Sequence, residues 1–521
     1  MNYFNYLIFI VLLIILILII ILCCYRKNIE KYESTPILQN LYKKTYCGKN
    51  ASLSVYENQG PIFKYTPDGS CYEKIPGTNN DYPNRNQQDF WLSGNMLEII
   101  LNYTETTKDD TFLKFILLDV SSIGQLQLQL VNGYDGCWND DRQWWALSFM
   151  RMWEYDNDLF SKELLVASQI FNATYDTSFN SFKCSNGNTY KSTWWQLLND
   201  DPLGINTYRN TITNSLFLEL CMRLYNVDIN DLEDRIKYEL RPRNLYWETA
   251  KELVKFLSTL KMSNGFMADG FKSKKRNSDS DVHDCSLDTS IYTYTQGVIL
   301  DGFSRVSMVA LEKNDIVLHK HCLKFVLDLL KLMLLEPNEN IGNQMGCDIH
   351  INEKIDCGIG VDKNSCVKNE NCCFSDQFAS NINPHCYKKQ KIAINPLLTN
   401  VNGKSILIEN YFDSSNSSDA FKGIFIRYLA YCIQTLQPLS FQNNEVLQYT
   451  DKTVKFISNN KEFVLNNAKN KKTDLYSFFW NLDQNKTDLL DKRYFSTATT
   501  GSVIDLLNSY LYVNNLSPYF L

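Results

Sequence analysis

Residues 138–155 read WNDDRQWWALSFMRMWEY. From Gln143 onward the apolar residues recur at helical spacing, which predicts an α-helix with Asp140 and Asp141 in its opening turn. The same period returns in FWLSGNMLEIILNY (90–103), LFSKELLVASQIFNATY (159–175), NTITNSLFLELCMRLY (210–225) and NLYWETAKELVKFLSTL (244–260). It continues in YTYTQGVILDGFSRVSMVAL (292–311), VLHKHCLKFVLDLLKLMLL (317–335), AFKGIFIRYLAYCIQTL (420–436), EVLQYTDKTVKFISN (445–459) and GSVIDLLNSYLY (501–512). No comparable series of alternating strand patterns is visible, so about ten to twelve helices joined by irregular loops predict an all-α architecture.

The chain has 521 residues, 44% of them hydrophobic, enough to bury at least one large core. A net charge of -6 and the lack of a long basic run argue against a nucleic-acid partner, whose phosphates call for a positive face. The 13% aromatic content suits stacking surfaces, and with an acidic chain it favours sugars over bases as ligands.

Residues 4–24 form an almost unbroken apolar run, matching the roughly 20 residues that cross a bilayer and exceeding the core of a cleaved signal. An N-terminal transmembrane helix over residues 1–24 is therefore expected, making the membrane itself a partner. Arg26, Lys27 and Lys31 after the run would favour a cytoplasmic main body. Sequons at Asn50, Asn102, Asn172, Asn416, Asn485 and Asn515 and a cysteine-rich segment oppose that orientation. The cysteines decide the expectation: the bulk of the chain lies outside the cell or in the secretory lumen. Residues 25–88, polar and broken by Pro and Gly, read as a stalk and irregular entry segment. Residues 263–289 read as a flexible polar loop.

Residues 347–386 hold six of the 16 cysteines and little apolar periodicity, so disulfides or a metal must hold them. Paired CxxC ligand sets are missing, which disfavours zinc. Asp356–Gly358 (DCG), Cys372–Phe374 (CCF) and Pro384–Tyr387 (PHCY) resemble a trefoil (P-type) domain. That resemblance implies the pairs Cys347–Cys373, Cys357–Cys372 and Cys366–Cys386. Lys354, Asn371 and His385 stand where that family has Arg, Gly and Trp, and the missing Trp belongs to its sugar-binding groove. A stapled structural insert is the alternative reading.

Asp140 and Asp141 have a bland explanation, since carboxylates favour helix N-termini. Capping does not explain why Trp138, Trp144 and Trp145 enclose them. The magnesium-binding DDxxD pattern of isoprenoid synthases fails at its fifth position, which is Trp144. Glycoside hydrolysis fits better, because a retaining glycosidase needs two carboxyl groups about 5–5.5 Å apart and neighbouring side chains at a helix start can meet that distance. Their mutual repulsion between apolar walls would keep one protonated and the other ionised. Trp138, Trp144 and Trp145 would then supply a sugar-stacking floor.

YDGCWNDDRQWWALSFMRMWEY (134–155) with LLVASQIF (164–171) resembles the catalytic region of glycoside hydrolase family 76, the endo-α-1,6-mannanases. Residues 208–225, 292–303 and 421–430 continue the resemblance in order. It implies an (α/α)6 barrel over residues 89–346 and 387–521, interrupted by the trefoil-like insert at 347–386. It also implies Asp140 as nucleophile, Asp141 as general acid and base, and an α-mannan-like glycan or mannosylated glycoconjugate as substrate. Gln296 and Gly297 would line the cleft, with Thr295 replacing the family's usual Asn. Tyr294, Asn210, Asn214, Lys422 and Arg427 match family positions as substrate-binding or structural residues. Trp194 and Trp195 are candidate sugar platforms or packing residues. Asp200–Asp201 reads as a turn before Pro202.

His319 and His321 lie two apart on a helix and face different sides, so no metal site is expected. Neither a GxSxG elbow nor a nucleotide-binding fingerprint occurs, and no cofactor is expected. A transglycosidase, in which a sugar hydroxyl intercepts the covalent intermediate, and a glycan-binding protein without turnover are the competing functions.

Overall fold

Each of the ten periodic stretches forms a helix: α1 (Phe90–Thr107), α2 (Asn139–Tyr155), α3 (Ser161–Thr177), α4 (Thr211–Tyr225), α5 (Arg243–Ser258), α6 (Thr293–Glu312), α7 (Ile316–Met333), α8 (Phe421–Ser440), α9 (Asn444–Asn467) and α10 (Thr497–Leu516). The computed structural model describes residues 90–109, 138–195, 208–230, 232–275, 282–342, 345–346, 357, 363–369, 372–374, 386–391, 393–409, 417–471, 476–482, 484–487, 490 and 497–516. The expected anchor at 1–24 and the stalk at 25–88 lie outside them. Among the described residues no helix is long and apolar enough to cross a membrane.

Side chains cap the starts of α4, α7 and α9, whereas α2, α3, α5, α6 and α8 begin without a side-chain cap bond. Asn210 accepts from the Thr213 amide at 3.2 Å to begin α4, and Asp315 accepts from the Leu318 amide at 3.1 Å to begin α7. α1, α2, α4, α6, α8 and α10 pack against one another in that order, and α10 returns to α1, closing a ring of six. Outside it, α3 packs on α2, α5 on α4, α7 on α6, and α9 on α8 and α10. Burial follows this division. Of the residues of α4, all but Tyr225 are buried, whereas α5 buries one stripe comprising Tyr246, Trp247, Thr249, Ala250, Leu253, Val254, Phe256 and Leu257. Inner helices approach closely where glycine removes the side chain: a Cβ on Gly297 of α6 would stand 2.7 Å from the Phe425 Cα of α8.

Charges on the inner helices are paired both within and between helices. Arg223 joins Glu154 at 2.7 Å and Glu219 at 2.8 Å, and Arg305 reaches Glu219 at 2.8 Å and Asp301 at 3.0 Å. Two of the sequons fall on structurally engaged residues. Asn102 is buried and accepts from Arg151 and Tyr431, and Asn172 donates to the Glu239 carbonyl and accepts from Arg241.

The all-α expectation needs correction to mostly helical, because a five-stranded sheet stands beside the ring. Its strands are β1 (Phe179–Cys184), β2 (Thr189–Thr193), β3 (Tyr208–Asn210), β4 (Gly270–Lys275) and β5 (Val282–Asp288), ordered β2-β1-β5-β4-β3. All neighbours are antiparallel except β1 with β5. Strands this short and polar, such as GFKSKK, carry too little alternation to be read from periodicity. The flexible loop expected at 263–289 is corrected with them, since β4 and β5 pair there over six residues. Cys184–Cys285 bridges β1 to β5 across 101 positions.

In the cysteine-rich segment Cys357–Cys372 and Cys366–Cys386 are bonded, two of the pairs that the trefoil resemblance implies. Cys373 is also disulfide-bonded, and Cys347, its implied partner, lies outside the described residues. Cys372–Phe374 pairs with Cys386–Lys388 in a two-stranded ladder.

Candidate active site

The first turn of α2 carries both aspartates, following Trp138 in extended backbone at the N-cap with no side-chain cap bond. Asp140 is half-buried and Asp141 is 6% exposed. The sheet delivers what faces them. β2 runs out into Trp194 and Trp195, whose backbone carbonyls accept from Asn139 Nδ2 and the Asn139 amide, each at 2.8 Å. The Trp195 amide donates to the Tyr208 carbonyl at 3.0 Å, which joins the end of β2 to β3. Trp195 Nε1 then donates to Asp140 Oδ2 at 3.1 Å.

The two carboxyl groups are electrostatically unlike. Burial raises Asp140 to about 7, while the Trp195 indole and the amides of the helix start act to lower it. Asp141 is pushed well above the usual carboxylate range, first by burial and then by the charge of Asp140. Its buried Oδ2 has no hydrogen-bond partner among the described residues. Asp140 is thus the better supported anion, and Asp141 the better supported acid.

A third carboxyl group, Asp269, was not singled out by sequence. It ends the turn before β4, accepts a hydrogen bond from Tyr208 Oη, is raised to about 6 by its burial, and acts electrostatically on Asp140. Its only sequence signal was an acid followed by Gly270, whose backbone lies so close to Asn210 that a Cβ would stand 2.6 Å from that Cα. Tyr294 also stays at the site. Half-buried, it stacks on Phe421 with centroids 3.8 Å apart, and burial together with the charges of Asp269 and Asp140 holds its phenol protonated.

Several expected sugar contacts are corrected by their surroundings. Trp144 and Trp145 are 2% and 1% exposed and pack against Trp91, Tyr428 and Phe149, so neither has a ring face for a sugar. Trp138 and Trp195 remain half-buried beside the pair, 5.8 Å apart. Asn210 caps α4, and Asn214 is consumed by the Thr193 backbone and the Asn210 carbonyl. Gln296 is buried, accepting from the Met267 amide at 2.9 Å and donating to the Tyr292 carbonyl at 3.2 Å, so it supports the segment leading to Asp269 instead of lining a cleft. Gly297 serves the α6–α8 contact.

Lys422 and Arg427 are corrected likewise. Lys422 is buried over the Phe478 ring at 3.9 Å, and burial lowers it to about 8. Arg427 bonds Asn95 and lies 3.7 Å from Glu98 and 3.6 Å from Asp505, tying α8 to α1 and α10. Among the described residues the candidate metal-ligand group is Cys357, Cys372 and Cys386, all of them disulfide-bonded.

Comparison with known proteins agrees with this arrangement. The family model for glycosyl hydrolase family 76 matches residues 56–315. No curated protein matches the chain. Among solved structures, the α-1,6-mannanase GH76A of Salegentibacter sp. HEL1_6 superposes with a TM-score of 0.55 at 14% identity, covering 93% of this chain and 99% of that one. An inactive variant of that mannanase, with two consecutive aspartates replaced by alanine, was solved in complex with α-1,6-mannotetrose. The family 76 mannosidase Bt3792 of Bacteroides thetaiotaomicron gives 0.54 at 11% identity, covering 94% and 99%. Dfg5 of Chaetomium thermophilum, solved with glucosamine, gives 0.53 at 14% identity, covering 93% and 90%. The chain belongs to glycoside hydrolase family 76 and is a glycoside hydrolase.

Proposed function

We propose that the chain is a retaining glycosidase acting on α-1,6-linked mannose in a polysaccharide or glycoconjugate. The observation that carries the reading is the asymmetry of the buried pair: Asp140 receives the Trp195 N–H, and Asp141 is desolvated beside a negative charge. Asp140 attacks the anomeric carbon while Asp141 gives its proton to the departing glycosidic oxygen. Asp141, now the base, then takes a proton from the water that displaces Asp140, and the starting ionisation states return. The Salegentibacter enzyme supports the assignment, since its inactive form lacks two consecutive aspartates and holds an α-1,6-linked mannose oligomer.

The bulk of the chain is proposed to be extracellular or lumenal, held by a helix in residues 1–24. The bridges Cys184–Cys285, Cys357–Cys372 and Cys366–Cys386 support an oxidising compartment. The bonded pairs within 347–386 support a trefoil-type insert in the barrel.

The test incubates the full chain with α-1,6-mannan oligosaccharides, following product masses and product anomers by proton NMR. Shorter products released first as the α-anomer are expected, and Asp140→Asn or Asp141→Asn should lower turnover by at least about a hundredfold. Products of inverted configuration would refute the retaining step, longer products would identify transfer to sugar, and binding with no products would identify a lectin.

A further inference from the structure

Arg209 carries a charge that the hydrolytic steps above do not use. It is fully buried on β3, and no carboxylate among the described residues pairs with it. Its guanidinium lies 3.8 Å from the Trp194 ring centroid and 4.2 Å from that of Phe182. Nη1 donates to the Ser192 carbonyl at 2.5 Å and to Ser192 Oγ at 3.0 Å, and Nη2 donates to Asn180 Oδ1 at 2.5 Å. Nε has no partner among the described residues.

An unpaired buried cation is costly, so its place needs a compensating role. β2 and β3 are the two edges of the five-stranded sheet, yet Arg209 on β3 bonds Ser192 on β2 and Asn180 on β1. The sheet therefore curls until its edges meet, and the guanidinium is the bolt. Only a planar fork can stack on two rings while donating in its own plane to two strands. Directly beyond the bolt come Trp194 and Trp195, and the Trp195 indole donates to Asp140.

We propose that Arg209 is a positioning residue for the acid pair, acting through Trp194 and Trp195 to hold the indole donor on Asp140. The role rests on the glycosidase reading but can be tested apart from it. Burial without an anion lowers Arg209 to about 9, which agrees with a group held by stacking and neutral acceptors.

The experiment labels the tryptophan indoles of the full chain with nitrogen-15 and follows the Trp195 signal, identified by its loss in Trp195→Phe, as pH is raised. In the parent it should titrate near Asp140's midpoint of about 7. In Arg209→Met the titration should vanish, and kcat on α-1,6-mannan oligosaccharides should fall roughly ten- to a hundredfold with KM changed less. Arg209→Lys should restore part of both. Should Arg209→Met fail to fold, Trp194→Leu breaks the same link with Arg209 in place and should remove the titration too. A Trp195 signal titrating as in the parent in either folded variant overturns the proposal. The indole readout needs no turnover, so an inactive parent would refute the glycosidase reading while the NMR still decides the role of Arg209.

Discussion

Replacing Trp195 with Phe removes one N–H and keeps an aromatic ring. The lost bond is the 3.1 Å contact to Asp140 Oδ2, the side-chain hydrogen bond that lowers this carboxyl against its burial. A hydrogen bond to a charged group contributes about 1.5–3 kcal/mol, and Trp195 is half-buried, so the low end applies. At about 1.4 kcal/mol per pH unit, Asp140 should rise by about one unit, from about 7 to about 8. The sign follows from the charge: a weaker anion means less ionised nucleophile on the acid side. At pH 6 the ionised fraction falls from about one in eleven to about one in a hundred, so kcat/KM should fall about tenfold there and within roughly twofold at pH 9. The assay is kcat/KM on α-1,6-mannan oligosaccharides from pH 5 to 9. Because the two acids are coupled, the fitted value belongs to the pair. A loss of equal size at every pH would refute the electrostatic argument, and so would an acid limb left in place.

Glu163 opens α3 with its side chain buried and neither oxygen bonded among the described residues, and burial raises it from 4.5 to about 7. Its folded form holds a proton between those values that the unfolded chain releases, so stability is lost as pH rises through that window, by at most about 1.4 kcal/mol per unit. Thermal melts at pH 5 to 8 should therefore fall less steeply for Glu163→Gln than for the parent. Removing Cys184–Cys285 by double serine substitution opens a bridge across 101 positions and should cost about 2–4 kcal/mol, read from denaturant midpoints. Since β4 and β5 lead from Asp269, KM should rise in that variant as well. Gly297→Ala sets a methyl 2.7 Å from the Phe425 backbone, and overpacking of about 1–3 kcal/mol should outweigh alanine's helix propensity, lowering Tm.

Helices were legible because each inner or outer helix must present apolar residues at one period, and ten stretches did so over twelve or more residues. The sheet was not, because β3 spans three residues and β4 is half lysine, so nothing in its composition separates it from a polar loop. Among the site residues, Asp140 and Asp141 were legible as two acids that capping alone did not explain. Asp269 was not, since a lone acid before a glycine looks like any turn. Aromatic residues misled in the opposite direction: Trp144 and Trp145 announce a sugar platform in sequence but face inward, one helical turn from residues that also pack.

What the amino-acid order determined by itself was local: the helix period, the acid pair in one opening turn, and the family those segments share. What tertiary structure decided was each side chain's partner. Whether Lys422, Arg427 and Gln296 meet a sugar or a neighbouring helix depends on which way the six-helix ring turns each of them. The protonation of two adjacent aspartates depends on desolvation by a sheet whose strands, Phe179 to Asp288, lie far downstream in the chain. Burial and field are sums over everything nearby in space, and chain order does not contain that distance.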